Sequence, residues 1–359
     1  MIDERLRSAC NVIDHLVNLD WKLRVTVITE FYKAARALYG EPLVLAGARR
    51  LIDPVTSGDV VVLATGNVVG PSYMPGGETD GPGGTAILAR ALRLGLGAIP
   101  VIVTDIPAGG QTETVMRAAG FVATTPENLQ RSKQEFAEQR ERRLMATTVF
   151  ELPPEDEGSQ KQARWIMDAF RPKAVIAVEK SSMNEKGHYH SSTGFNTSAV
   201  KGRADFLFRI AEQENILTIG IGDGGNEIGY GVIQDVVKRF KPYGDKCRCP
   251  CGGGIAAATG TDVLITADVS NWGAYGLAAA LLLLLEKPEL IHDDDLELRV
   301  LEATARAGLI HMGSEVAPSV DSFPRSTNRH IAALIRDIAV AYSVDRYASK
   351  RFLDLRGTA

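Results

Sequence analysis

The chain alternates short, unbroken apolar runs with longer segments whose apolar residues recur every three or four positions. The runs cover 60–64, 99–103, 121–124, 147–150, 174–178, 217–221 and 263–267. Their Val and Ile content predicts strands. The periodic segments between them, 84–94, 112–119, 128–143, 160–169, 202–214, 233–240, 275–285 and 294–307, predict helices. A strand that is apolar at every position is buried on both faces. Such strands separated by helices predict an α/β fold: a mostly parallel sheet of about seven strands with helices on both faces. Residues 3–38 also read as helical, with Leu6, Val12, Leu16 and Leu19 on one stripe. This N-terminal helical extension is expected to pack on the main domain or on another subunit, which leaves a homo-oligomer open. The predicted organisation is a helical segment over 1–45, a single α/β domain over 46–345 and a tail over 346–359. Pro153-Pro154-Glu155-Asp156-Glu157-Gly158 reads as a surface loop and a subdomain boundary near 153–158.

Composition narrows the class. The chain has 359 residues, of which 45% are hydrophobic, enough for a large core. Its net charge of −4, with both signs interspersed, gives no electrostatic case for nucleic acid or membrane binding. The apolar stretch 276–285 is about half of what spans a bilayer. Met1-Ile2-Asp3-Glu4-Arg5 has no signal-peptide core, so a cytoplasmic protein is expected. Cys10 stands alone, while Cys247, Cys249 and Cys251 form Cys-Arg-Cys-Pro-Cys. Alternate spacing and an odd local count do not make a disulfide framework. Zinc would usually want Cys-x-x-Cys pairs and a fourth ligand, so the three read first as structural thiols in a loop.

In open parallel sheets, ligands sit beyond the carboxyl ends of the strands. The residues there are Thr65-Gly66-Asn67, Thr104-Asp105, Glu179-Lys180, Gly222-Asp223-Gly224-Gly225-Asn226 and Asp268-Val269-Ser270-Asn271-Trp272. Four of these five ends carry a carboxylate, an odd way to finish strands whose only task is packing. Asp105, Glu179, Asp223 and Asp268 are therefore candidate ligands for a hard divalent cation, Mg²⁺, Mn²⁺ or Ca²⁺. Without a cation, nearby Lys and Arg must neutralise them.

Each motif has a plainer reading beside its chemical one. Gly220-x-Gly222-x-x-Gly225 matches the dinucleotide fingerprint on paper, but Asp223 puts negative charge where a pyrophosphate must sit. A structural turn or a loop for a substrate carboxylate or metal fits better. Gly76 to Gly84 is a second flexible acidic loop, and Glu78 and Asp80 are either exposed turn residues or site groups. His188 and His190 lie two apart and point the same way in an extended loop, as a general base, a metal ligand or simple surface histidines. Lys186 is a candidate point charge for a substrate carboxylate. Ser270 reads as the N-cap of an apolar helix, and Trp272 as a wall of the site or as core. No Walker loop, Gly-x-Ser-x-Gly or His-Glu-x-x-His is present, which disfavours ATP-driven chemistry and a standard hydrolase triad.

Taken together, Glu78-Thr-Asp-Gly-Pro82, Ile221-Gly-Asp-Gly-Gly-Asn-Glu-Ile-Gly229, Cys251-Gly-Gly-Gly-Ile-Ala256 and Ser270-Asn-Trp-Gly-Ala-Tyr-Gly-Leu277 resemble the C-terminal domain of the D-glutamate cyclase family. The resemblance runs from about Asp53 to about Ile335. It implies an enzyme that converts D-glutamate to 5-oxo-D-proline with loss of water, a carbon–oxygen lyase acting on a small molecule. In vertebrate mitochondrial relatives a further domain precedes this one.

Such a cyclisation needs a deprotonated amine, a protonated or polarised carboxyl, and stabilisation of an oxyanion. The strand-end reading assigns Asp223 or Glu227 to the amine proton and Glu78 or Glu179 to the departing hydroxyl. Gly224, Gly225 and Asn226 are the oxyanion donors, and Thr65, Gly66, Asn67, Ser270, Asn271 and Trp272 hold the α-carboxylate. Two rival readings stand beside it. One is a racemase or lyase that uses His188 or Lys186 at the α-carbon. The other is a non-catalytic amino-acid-binding module that needs a partner domain.

Overall fold

The computed structural model describes residues 4–24, 27–70, 73–138 and 144–344. Seven strands form one sheet: β1 (Val60–Ala64), β2 (Ile99–Asp105), β3 (Val122–Ala123), β4 (Ala146–Leu152), β5 (Ala174–Val178), β6 (Leu217–Gly222) and β7 (Val263–Thr266). They lie in the order β3-β4-β2-β1-β5-β6-β7, and every neighbouring pair is parallel. The α/β expectation therefore holds, strand for strand. The unbroken apolar runs have their physical cause in two cores. Val61 and Leu63 of β1 face one, while Val60, Val62 and Ala64 face the other.

The helices are α1 (Glu4–Val17), α2 (Val27–Tyr39), α3 (Leu43–Ile52), α4 (Pro82–Ala91), α5 (Gly109–Ala118), α6 (Pro126–Glu138), α7 (Asp156–Phe170), α8 (Asp205–Gln213), α9 (Gln234–Phe240), α10 (Ser270–Leu284), α11 (Asp294–Arg306) and α12 (Arg325–Val344). The smaller core packs α7 and α8 on the sheet through Ile166, Phe170, Leu207 and Phe208. The larger core centres on α10, where every residue from Ser270 to Leu283 is buried. A helix apolar all round belongs inside a layer of helices, and α1, α3, α4 and α12 surround it. Small residues let these helices approach. A Cβ on Gly84 of α4 would lie 2.7 Å from the Asn271 Cα of α10.

Two parts differ from the sequence expectation. The predicted helix over 3–38 breaks after Val17. Asn18 and Asp20 bend the chain by bonding to nearby backbone: Asn18 Nδ2 donates to Asp14 O (2.9 Å), and Arg24 N donates to Asp20 Oδ1 (2.8 Å). The N-terminal helices pack on the sheet domain itself. Asp14, fully buried, accepts from Leu43 N and Val44 N and caps α3. A two-stranded hairpin, β8 (Ser319–Val320) and β9 (Phe323–Pro324), and the long α12 were not anticipated. The expected tail over 346–359 lies outside the described residues. Among the described residues no helix is long and apolar enough to cross a membrane.

From β1 the chain steps to β2, then to the edge strand β3, and returns to insert β4 between them. It then crosses back to β5 on the far side of β1 and continues outward to β7. The carboxyl ends of β1 and β5 are thus the switch point, where a crevice opens in sheets of this kind. The tight α4–α10 contact generates one prediction. Gly84→Ala should destabilise the fold by about 1–3 kcal/mol through overpacking, read as a lower urea midpoint with an unchanged slope and unchanged circular dichroism.

Candidate active site

The first residues past β1 and β5 set the geometry. Gly66 adopts φ +91°, and a side chain there would run into Thr104 Oγ1. Beyond β5, Glu179 has φ +51° while buried. Asp321, in the hairpin turn, has φ +53°. Left-handed backbone at a Glu costs energy and concentrates where function demands it.

Around this point the fold collects carboxyls from distant loops: Glu78 and Asp80 before α4, Glu179 after β5, Asp223 and Glu227 after β6, and Asp321 between β8 and β9. All are buried. Carboxylate oxygens of Asp80, Asp223 and Asp321 lie within 4.8 Å of one another, and those of Glu179, Asp223 and Glu227 do likewise. Asp223 joins the two groups. Positive charge enters from the bend between α1 and α2. Lys22 Nζ is 2.5 Å from Asp223 and also contacts Asp321. Arg24 is 2.6 Å from Asp268 and 3.5 Å from Asp223. On the β1–β2 side, Lys180 pairs with Asp105, and buried Lys201 lies within electrostatic reach of Asp105, Glu78 and Glu179.

This arrangement spreads the ionisation behaviour of like groups. Burial alone would raise Asp223, but Lys22 and then Arg24 outweigh it and hold the carboxyl down at about 2. Burial and then the Asp223 charge push Glu227 up to about 7. Glu179 is raised well above the usual range by burial, with Glu227 and Asp223 adding repulsion. Burial also raises Glu78 well above its usual range, although Lys201 pulls the other way. Asp80 is raised by burial and then by Asp321 and Asp223. Burial lowers Lys201 to about 8 against the pull of Asp105 and Glu78. Lys241 is lowered by burial and then by Arg24.

Several residues chosen from the sequence have other tasks. The N–H groups of Ser270 and Asn271 donate to Asp80 (2.9 and 2.8 Å), so the cap of α10 is a remote carboxylate rather than Ser270. Ser270 Oγ donates to Glu179. Asn271 Oδ1 accepts from Gly81 N and Gly84 N and caps α4 in return. Trp272 is core, its Nε1 donating to Asn328 at 2.9 Å. Gly224 N and Gly225 N already donate to the Glu227 carboxylate (3.0 and 2.8 Å), which removes them as oxyanion donors. Asn226 Nδ2 donates to His190 O; among the described residues its buried Oδ1 has no hydrogen-bond partner, nor has the Thr65 hydroxyl. Asn67 Oδ1 accepts from Ser181 Oγ (2.9 Å).

The expected cation quartet does not assemble. Asp105 is consumed by Lys180, Gly202 N and Val68 N, and Asp268 by Arg24 and Lys22 N. Glu179 and Asp223 remain together, with Glu227 in place of the other two. Two carboxylate triads offer the oxygen donors a hard cation takes, and Lys22 already places its ammonium between Asp223 and Asp321. Lys186 is exposed and, with His188, belongs to the loop beside the cysteines instead of the acid cluster. A cleft at the opposite rim, lined by Arg50, Lys173, Arg209 and Asp262, holds none of these carboxyls. The sequence reading missed Lys22, Arg24, Lys201, Lys241 and Asp321. The only available signal for the cations was the charge that the acids required.

A family model described as D-glutamate cyclase-like, C-terminal, matches residues 22–336. The chain belongs to that family. The human protein "D-glutamate cyclase, mitochondrial" is similar, 33% identical over 111 residues. That match spans 31% of this chain and 17% of the human protein. The D-glutamate cyclase-like region begins at Lys22 rather than near Asp53, so the bend that carries Lys22 and Arg24 belongs to it.

The Lys22–Asp223 contact generates the next prediction. The two side chains are only 16% and 12% exposed, so solvent screens them weakly. Lys22→Met leaves Asp223 with the longer Arg24 contact and the more distant Lys241 charge, and should cost about 3 kcal/mol, the low end for breaking a buried pair. Urea unfolding at neutral pH measures it. A loss below about 1 kcal/mol, the value of a surface pair, would contradict this account.

Proposed function

We propose that the protein is a hydro-lyase that closes D-glutamate to 5-oxo-D-proline with release of water. Support comes from the family and from one observation about the rim: carboxyls and a lysine with ionisations on both sides of neutrality are buried together at the switch point. The chemistry needs such a set. The C–N bond forms as the γ-carbon loses oxygen. Two protons leave the α-ammonium, and both end on the departing oxygen as water. The site must therefore accept and donate protons at one pH, which suits groups that titrate near 7.

Glu227, at about 7, is the better base for the amine. Asp223, at about 2 and salt-bridged, is too weak a base and serves to hold Lys22 and Arg24. Glu78 and Glu179, kept protonated by burial, are the acids for the departing hydroxyl. Lys201 as ammonium stabilises the oxyanion beside them, since the Gly224 and Gly225 N–H groups are already used. Lys22 and Arg24, partly exposed, attract the substrate α-carboxylate. The racemase alternative loses ground because Lys186 and His188 stand away from the acids.

The reaction is tested by incubating the protein with D-glutamate and with L-glutamate and following 5-oxoproline by NMR. Turnover of neither isomer overturns the proposal. With activity in hand, kcat should be bell-shaped in pH. It rises as Glu227 ionises near 7 and falls as Lys201 loses its proton near 8. Glu227→Gln should lower kcat by about 10²–10⁴-fold, the usual range for general acid–base catalysis, and remove the acid limb. A retained limb would assign the base elsewhere.

A further inference from the structure

The three cysteines that the acid chemistry leaves unused find a fourth partner in space. The loop after β5 carries His190 back to the loop between α9 and β7 that holds Cys247, Cys249 and Cys251. His190 Nε2 is 3.2 Å from Cys249 Sγ and 3.7 Å from Cys251 Sγ. Cys247 Sγ is 3.5 Å from Cys249 Sγ and 3.3 Å from Cys251 Sγ. The four donor atoms all lie within 4.8 Å of one another, and the cysteines are free thiols. We propose that His190, Cys247, Cys249 and Cys251 bind one structural zinc ion.

The geometry fits. A tetrahedral zinc with bonds of about 2.3 Å to sulfur and about 2.0 Å to nitrogen needs S···S edges of about 3.8 Å and S···N edges of about 3.5 Å. The observed separations lie within about 0.5 Å of these edges. Three thiolates and an imidazole are soft and borderline donors, which select zinc over the hard cations suited to the carboxylates. Amides stand around the sulfurs as an outer layer. Asn184 Nδ2 points at Cys251 Sγ (3.7 Å) and Asn196 Nδ2 at Cys249 Sγ (3.8 Å). Gly252 and Gly254 take φ of +62° and +70°, folding the loop so that its sulfurs converge. A Cβ at Gly254 would collide with Gly244 O, so the second of these turns requires glycine.

The site has a structural consequence that does not rest on the substrate. It clamps the loop after β5, which begins at Glu179, to the loop before β7. His190 O accepts from Asn226 Nδ2 at 3.1 Å, next to Glu227, and Asn226 O accepts from Ser182 N at 2.8 Å. Metal binding therefore stabilises the ends of β5 and β6 together.

Untagged full chain, purified without chelator, should contain about one zinc per molecule by plasma mass spectrometry. Exchange into cobalt(II) should give the intense visible bands of a tetrahedral sulfur site and thiolate-to-cobalt charge transfer. Cys249→Ser and His190→Ala should weaken metal binding by at least about 10-fold, whereas Cys10→Ala should retain full zinc. Should a variant fail to fold, the cobalt spectrum of the parent protein still decides. Metal-free protein with four titratable thiols that gives no thiolate–cobalt spectrum overturns the proposal. So does iron in place of zinc, or a cobalt spectrum and affinity unchanged in Cys249→Ser.

Discussion

Acidic groups packed at one end of a sheet repel one another, and burial removes the water that would screen them. The structure depends on how that repulsion is met. Lys22 and Arg24 enter from outside the sheet and settle on Asp223, Asp268 and Asp321. Lys180 settles on Asp105. Backbone N–H groups at the starts of α10 and of the Gly224–Gly225 turn cover Asp80 and Glu227. Where this compensation is strong the carboxyl stays ionised, as at Asp223. Where it is thin, burial and like charges raise the carboxyl above its usual range, as at Glu179. One cluster thereby holds carboxyls shifted in opposite directions.

The same contacts tie the layers together. Asp80 caps α10 while Asn271 of α10 caps α4, the helix that follows Asp80. The acid-bearing loop and the central helix fix each other reciprocally. A rigid helix frame under an irregular rim suits a site that must keep several titrating groups within hydrogen-bond range.

The sheet was readable because its strands are buried on both faces. Val60–Ala64 and Ala174–Val178 are apolar throughout, and no helix periodicity competes. The acidic strand ends were readable because a parallel sheet places ligands at one rim, so Glu179 and Asp223 could be chosen without coordinates. Their partners were not readable. Lys22 and Asp223 are 201 positions apart, and an ion pair at that separation leaves no local pattern. The N–H groups of Gly224, Gly225, Ser270 and Asn271, expected to meet a substrate's oxygens, donate to the protein's own carboxylates. The cysteines looked one ligand short because His190 lies far from them in the chain and close only after folding.

The bend at Asn18–Arg24 also decides where this domain can be cut. A border drawn at residue 46, which the helix pattern suggests, would divide an electrostatic network and leave Asp223 and Asp268 without their principal counter-charges. The sheet excised on its own would have to protonate those acids or open its rim to water. The bend between the first two helices thus supplies Lys22 and Arg24 to the charge balance of the sheet's rim.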